Sequence, residues 1–160
     1  MKSLSLSTGK LFELSQVMDS IPVSDLQTTK DVRLASSIVR DLRAACGDYG
    51  EKKADFDVKT VALAKPYQER YNTEVTENEK MSEIEKKLLA KKYDEQLMAE
   101  IKETYGAEYT ALEEQAQTVV TAEISDEKFA RLKELFDKYA ARFYVVKSVY
   151  LEVADALGLE

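Results

Sequence analysis

The sequence predicts a mainly α-helical chain: a long antiparallel helical hairpin, a short N-terminal helix before it, two C-terminal helices after it, and room for one small β element near 118–124. Three observations predict this. Apolar residues recur at spacings of three and four along most of the chain. Only five glycines and two prolines interrupt its 160 residues. Charged residues make up 33% and apolar residues 44%; the charged share exceeds the roughly 25% of an average globular chain and suits long helices with one wet face. The length suits one domain, 1–160, with the hairpin over about 29–117 and a C-terminal helical part over about 125–158.

Residues 3–7 alternate Ser-Leu-Ser-Leu-Ser, a short strand or an extended arm. Ser7 or Thr8 then caps a first helix, whose stripe is Leu11, Leu14, Met18 and Ile21. Pro22 stops it, and Val23–Gln27 is a connector. Thr28 with Asp31 three residues on resembles a capping box, and Thr28 or Thr29 starts the next helix. Its stripe of Ala35, Ile38, Leu42, Ala45 and Tyr49 continues on the same grid to Phe56 and Leu63, so the helix is expected to pass Gly47 and Gly50 and reach about Lys65. Pro66 is expected to end or bend it. Asn72–Lys80 is polar and is the expected turn. Ser82 and Glu85 form a capping box for the second arm. Ile84 and Leu88 start its stripe, and Leu89, Tyr93, Leu97, Ile101, Tyr105, Leu112 and Ala116 continue it, with Gly106 a point where it can break.

Thr118–Ile124 then changes to a period of two, the best strand in the chain, with residues 3–7 or 143–146 as alternative partners. Ser125 or Asp126 caps a helix with a stripe of Phe129, Leu132, Leu135, Phe136 and Tyr139. Phe143–Val146 is a strand or a junction. A last helix carries Val149, Val153 and Leu157, with Gly158 at the position after the cap.

The net charge of −7 argues against direct nucleic-acid binding and against an anionic membrane. Residues 73–125 hold 13 acids and 6 bases, and no Lys or Arg lies between Lys102 and Lys128. Met1–Gly9 lacks the apolar core of a signal peptide, and no stretch approaches the roughly 18 apolar residues of a membrane span.

The search for chemistry assigns no catalytic, cofactor-binding or metal-ligating residue, and the expectation is a chain that is not an enzyme. There is no histidine, which removes the commonest general base and metal ligand. Cys46 is the only cysteine, between Ala45 and Gly47, and reads as a small buried apolar residue. Asp55 with Asp57 and Glu113 with Glu114 are the carboxylate pairs to weigh, but neighbours on a helix diverge. Asp48–Glu51 lacks the ligand spacing of a calcium loop. Nine tyrosines point to packing or partner surfaces. Arg33, Arg40 and Arg43 make a small basic stripe without aromatic stacking platforms.

The run Thr8-Gly-Lys-Leu-Phe-Glu-Leu-Ser, the run Arg33-Leu-Ala-Ser-Ser-Ile-Val-Arg-Asp-Leu, the charged tract with Tyr49, and the extended Val119–Ile124 together resemble small helical proteins encoded by tailed bacteriophages. The resemblance covers about half the chain, mainly 8–56 and 119–124; Gly47, Gly50 and the longer part after Ser125 depart from it. It carries no activity or site residue. It implies a virus-encoded protein made in a bacterial cytoplasm.

The expectation that follows is a protein working by protein–protein contact, as a virion structural or assembly component, with itself or other virion proteins as partners. A hairpin with this much apolar stripe needs cover, and Ile38, Leu42, Tyr93, Leu97 and Ile101 are the expected interface residues. The alternative is an acidic inhibitor of a host defence or nucleic-acid enzyme, acting through the surface around Glu103–Glu127.

Overall fold

A computed structural model describes all residues, 1–160. The order is β1 (Lys2–Ser7), α1 (Thr8–Asp19), α2 (Val23–Leu26), α3 (Thr29–Ala45), α4 (Tyr49–Glu77), α5 (Glu83–Gln117), β2 (Val119–Ile124), α6 (Asp126–Tyr139), a 3₁₀ turn (Ala140–Arg142) and α7 (Lys147–Ala156). The chain is mainly helical, as its periodicity predicts, with one two-stranded antiparallel sheet. It divides into two compact units: Met1–Gly50 with Glu114–Glu160, and Glu51–Glu113.

In the first unit β1 pairs with β2 in the register Leu4↔Ala122 and Leu6↔Val120. The alternation of β1 puts Leu4 and Leu6 on the core face with Ala122 and Ile124. On the other face Ser5 and Thr121 share a hydrogen bond of 2.7 Å, and Ser3 donates to Glu123 at 2.7 Å. The N-terminal segment is therefore the partner of the second strand, and Phe143–Val146 is the junction leading into α7. Thr8 is the first residue of α1, not its cap. Its amide and hydroxyl both donate to the Thr118 carbonyl at 2.8 Å, and Ser7 caps without a side-chain bond.

Helix α1 packs on α3, and α3 also meets β2 and α6. The stripes read from sequence converge here: Leu11, Leu14, Ile38, Leu42, Leu132 and Phe136 are fully buried. Each such side chain contributes about 1.5–3 kcal/mol by leaving water. The helix ends follow the caps. Thr28 accepts from the Asp31 amide at 3.2 Å and Ser125 from the Lys128 amide at 3.3 Å. At the C-terminus the Leu159 amide donates to Ala154 at 2.9 Å and the Gly158 amide to Asp155 at 3.0 Å, the paired bonds of a Schellman motif.

The helix expected to run from 29 to 65 is two helices. Helix α3 ends at Ala45; Gly47 has φ +61°, its amide returns to the Ala44 carbonyl at 3.3 Å, and α4 starts at Tyr49. A glycine enters the left-handed region without steric cost. The apolar grid continues across this break because Tyr49 still reaches the core, its ring edge-on to Phe12 at 5.6 Å.

The second unit is the hairpin of α4 and α5. Pro66 does not end α4, which runs on to Glu77. Proline removes the donor to the Ala62 carbonyl, but Ala62 and Pro66 are both exposed, so water can serve that carbonyl. The expected turn at 72–80 shrinks to the few residues after Glu77. The capping box there is complete: the Glu85 amide donates to the Ser82 hydroxyl at 3.2 Å, and the Ser82 amide donates to the Glu85 carboxylate at 3.2 Å. Helix α5 is interrupted at Tyr105 (φ −128°, ψ 24°), next to Gly106.

Candidate interaction surfaces

The seam of the hairpin is aromatic and charged. Tyr67 donates to Glu100 and Tyr93 to Glu74, two hydrogen bonds crossing from one helix to the other in opposite directions. The two rings lie 6.2 Å apart. Further along, Lys59 donates to Glu108 at 3.0 Å and also pairs with Asp55 at 3.1 Å. Phe56 and Tyr109 close that end at 6.0 Å. The glutamate acceptors raise the Tyr67, Tyr93 and Tyr109 phenols above their ordinary value, so these groups stay protonated donors. Lys59 is raised as well, by Glu108 first and Asp55 second. A groove of about 330 Å³ opens beside this seam, lined by Ala64, Tyr67, Tyr71, Tyr93 and Leu97 among others.

The outer face of α5 is different. Ile84 is 71%, Leu88 63% and Met98 42% exposed. Ile84 and Leu88 were expected to share the stripe of Tyr93, but Tyr93 is nine residues past Ile84, which at about 100° per residue is half a turn away. Helix α5 therefore has two apolar faces: one meets α4 and the other is bare. On α4, Val58 and Val61 are likewise exposed.

In the first unit, the aromatic cluster of Phe136, Tyr144 and Tyr150 holds the junction before α7, with Phe136 stacked on Tyr150 at 5.0 Å. The Tyr144 hydroxyl is buried without a protein partner, and burial pushes its phenol well above the usual range. Beside it is a shallow hollow of about 270 Å³ formed by Ala141, Tyr144, Lys147, Tyr150 and Leu151. Around that hollow Phe143, Val146 and Leu151 are exposed, and Val145 is 95% exposed.

Cys46 is buried, its thiol 3.4 Å from the Leu42 carbonyl, and burial raises it above the ordinary thiol value. That is the reverse of what activates a nucleophile. Of the carboxylate pairs, Asp55 binds Lys59 and Asp57 binds Lys53 at 3.0 Å, while Glu113 accepts from Tyr109 at 2.7 Å. No three acids or thiols converge as metal ligands. In the basic stripe, Arg43 binds Ser15 at 3.2 Å and Asp19 at 3.3 Å, and Arg33 and Arg40 are exposed. No helix is long and apolar enough to cross a membrane.

The expected interface residues occupy two places. Ile38 and Leu42 are in the core of the first unit, and Tyr93, Leu97 and Ile101 lie along the inner side of α5, with only Leu97 partly open. All five sit against their own chain; exposed apolar side chains lie elsewhere, on the outer α5 face, at 143–151 and at Val58 and Val61 of α4. The wheel angle between Ile84 and Tyr93 was the signal for the first; the run Phe143–Val146 was the signal for the second. No family model, curated protein or solved structure matches this chain.

Proposed function

We propose that this chain is a non-enzymatic bacteriophage protein that acts by protein–protein contact, as a structural or assembly component of the virion. It is made in the cytoplasm of an infected bacterium, and its partners are copies of itself or other virion proteins. The observation that carries the contact reading is the outer face of α5, where Ile84, Leu88 and Met98 are exposed on the side turned away from the inward Tyr93. Exposed apolar side chains grouped on one face favour association. The viral setting comes from the resemblance of residues 8–56 and 119–124.

Mass spectrometry of purified particles tests this. The expected result is the chain at many copies per particle. Its absence from particles, with abundance in infected cells, overturns the virion assignment.

A further inference from the structure

We infer that the outer face of α5 is a self-complementary seam on which a second copy of this chain docks antiparallel, about a two-fold axis level with residue 93. This rests on the reading of the chain as a contact protein and adds the partner and the register.

Before the break at Tyr105, helix α5 is continuous from Glu83. Ile84, Leu88, Lys91, Glu95, Met98 and Lys102 follow one another at spacings of four, three, four, three and four. At about 100° per residue they lie within roughly 40° of a single line, opposite the inward Tyr93. The spacing is that of the core positions of a coiled coil, filled here by three apolar and three charged side chains, all exposed.

An antiparallel copy placed with its two-fold at residue 93 sets Leu88 against Met98 of the second copy, and Lys91 against Glu95. Symmetry makes each contact twice. The centre then has four opposite charges and its flanks four apolar side chains. Ile84 lies beneath the aliphatic stem of Lys102, whose ammonium stays in water. Lys92 and Asp94 border the face on its two sides; each nears its own mate across the axis, but also the Glu95 and Lys91 of the second copy. The charges at 91, 92, 94 and 95 sum to zero, so the centre of the meeting surface is neutral, with Lys87 and Lys102 toward its ends. Within one chain Lys91 and Glu95 are only loosely paired, at 4.0 Å with both side chains exposed. They are free to turn to a partner.

Sedimentation equilibrium of the full chain over a wide concentration range tests the inference. A reversible monomer–dimer equilibrium is expected, and Leu88→Asp should abolish it with helicity unchanged, because Leu88 is exposed. Lys91→Glu and Glu95→Lys should each weaken the dimer roughly tenfold, by turning two attractive contacts repulsive. Mixing those two variants in equal amounts should restore the dimer, since each chain then offers a single sign. A double Leu88→Cys, Met98→Cys variant should form a disulfide-linked dimer on oxidation where neither single variant does. A monomer at every concentration, a dimer indifferent to Leu88→Asp, or failure of the mixed variants to re-pair would overturn it. A monomeric chain still present at many copies per particle would remove the self-pairing alone and leave the wider reading standing.

Discussion

Tyr67 and Tyr93 do at the seam of the hairpin what an apolar pair cannot: each donates to a carboxylate of the opposite helix, Glu100 and Glu74. Their phenols are held above the unfolded value of about 10, so the folded chain holds those protons more tightly than the unfolded one. The stabilisation is complete below about pH 10 and is lost as pH rises through the raised values. Lys59, raised by Glu108 and Asp55, adds to the loss in the same alkaline range. Thermal melts followed by circular dichroism should show Tm falling above pH 10 in the native chain. That fall should be shallower in a Tyr67→Phe, Tyr93→Phe variant, which melts lower at neutral pH. Two glycines make an opposed pair of tests. Gly47 has φ +61°, and Gly47→Ala should cost about 1 kcal/mol because the left-handed region opposes a Cβ. Gly106 has nothing within 4 Å of an added Cβ, so Gly106→Ala should stabilise by about 0.5–1 kcal/mol through helix propensity. Urea unfolding measures both.

At the scale of elements, the start of α5 rests on the reciprocal Ser82–Glu85 bonds, and Ser82→Ala should lower stability by about 1 kcal/mol in the same urea assay. This cap was legible in the sequence, as were those at Thr28, Ser125 and Gly158, because each is a local pattern of a few residues. The strand at 119–124 was legible from its period of two, and its partner was not, since Ser-Leu alternation at 3–7 and the β-branched run at 143–146 make equal claims locally. The break at Gly47 was hidden because Tyr49 returns to the core grid after the turn. The persistence of α4 through Pro66 was hidden because the cost of a proline depends on whether the freed carbonyl meets water, which one chain position cannot tell. The two faces of α5 were readable in principle from the half-turn between Ile84 and Tyr93. Leucine at both 88 and 89 bridges the faces, so that the two read as one stripe.

At the scale of the whole molecule, the two units differ in how much they bury. The first packs Phe136, Leu132, Leu14 and Ile38 to zero or near-zero exposure. The hairpin buries only Phe56, Tyr93 and Ile101, none of them completely, and relies on polar bonds along its seam. Hydrogen exchange should therefore find the amides of α3 and α6 protected at the global level and those near the hairpin tip, around 78–88, opening at much lower free energy. Phe136→Ala should cost about 3–5 kcal/mol, since it empties the centre of the first unit. That unit is assembled from both ends of the chain, with Ser7 opposite Val119 and the hairpin nested between. A ribosome releases the first strand long before its mate exists, so Leu4 and Leu6 wait unshielded while α4 and α5 emerge. Early zipping of the hairpin would cut the tether of roughly 110 residues by more than half and ease the final closure by about 0.8 kcal/mol. Such zipping would carry the late strand back to the early one.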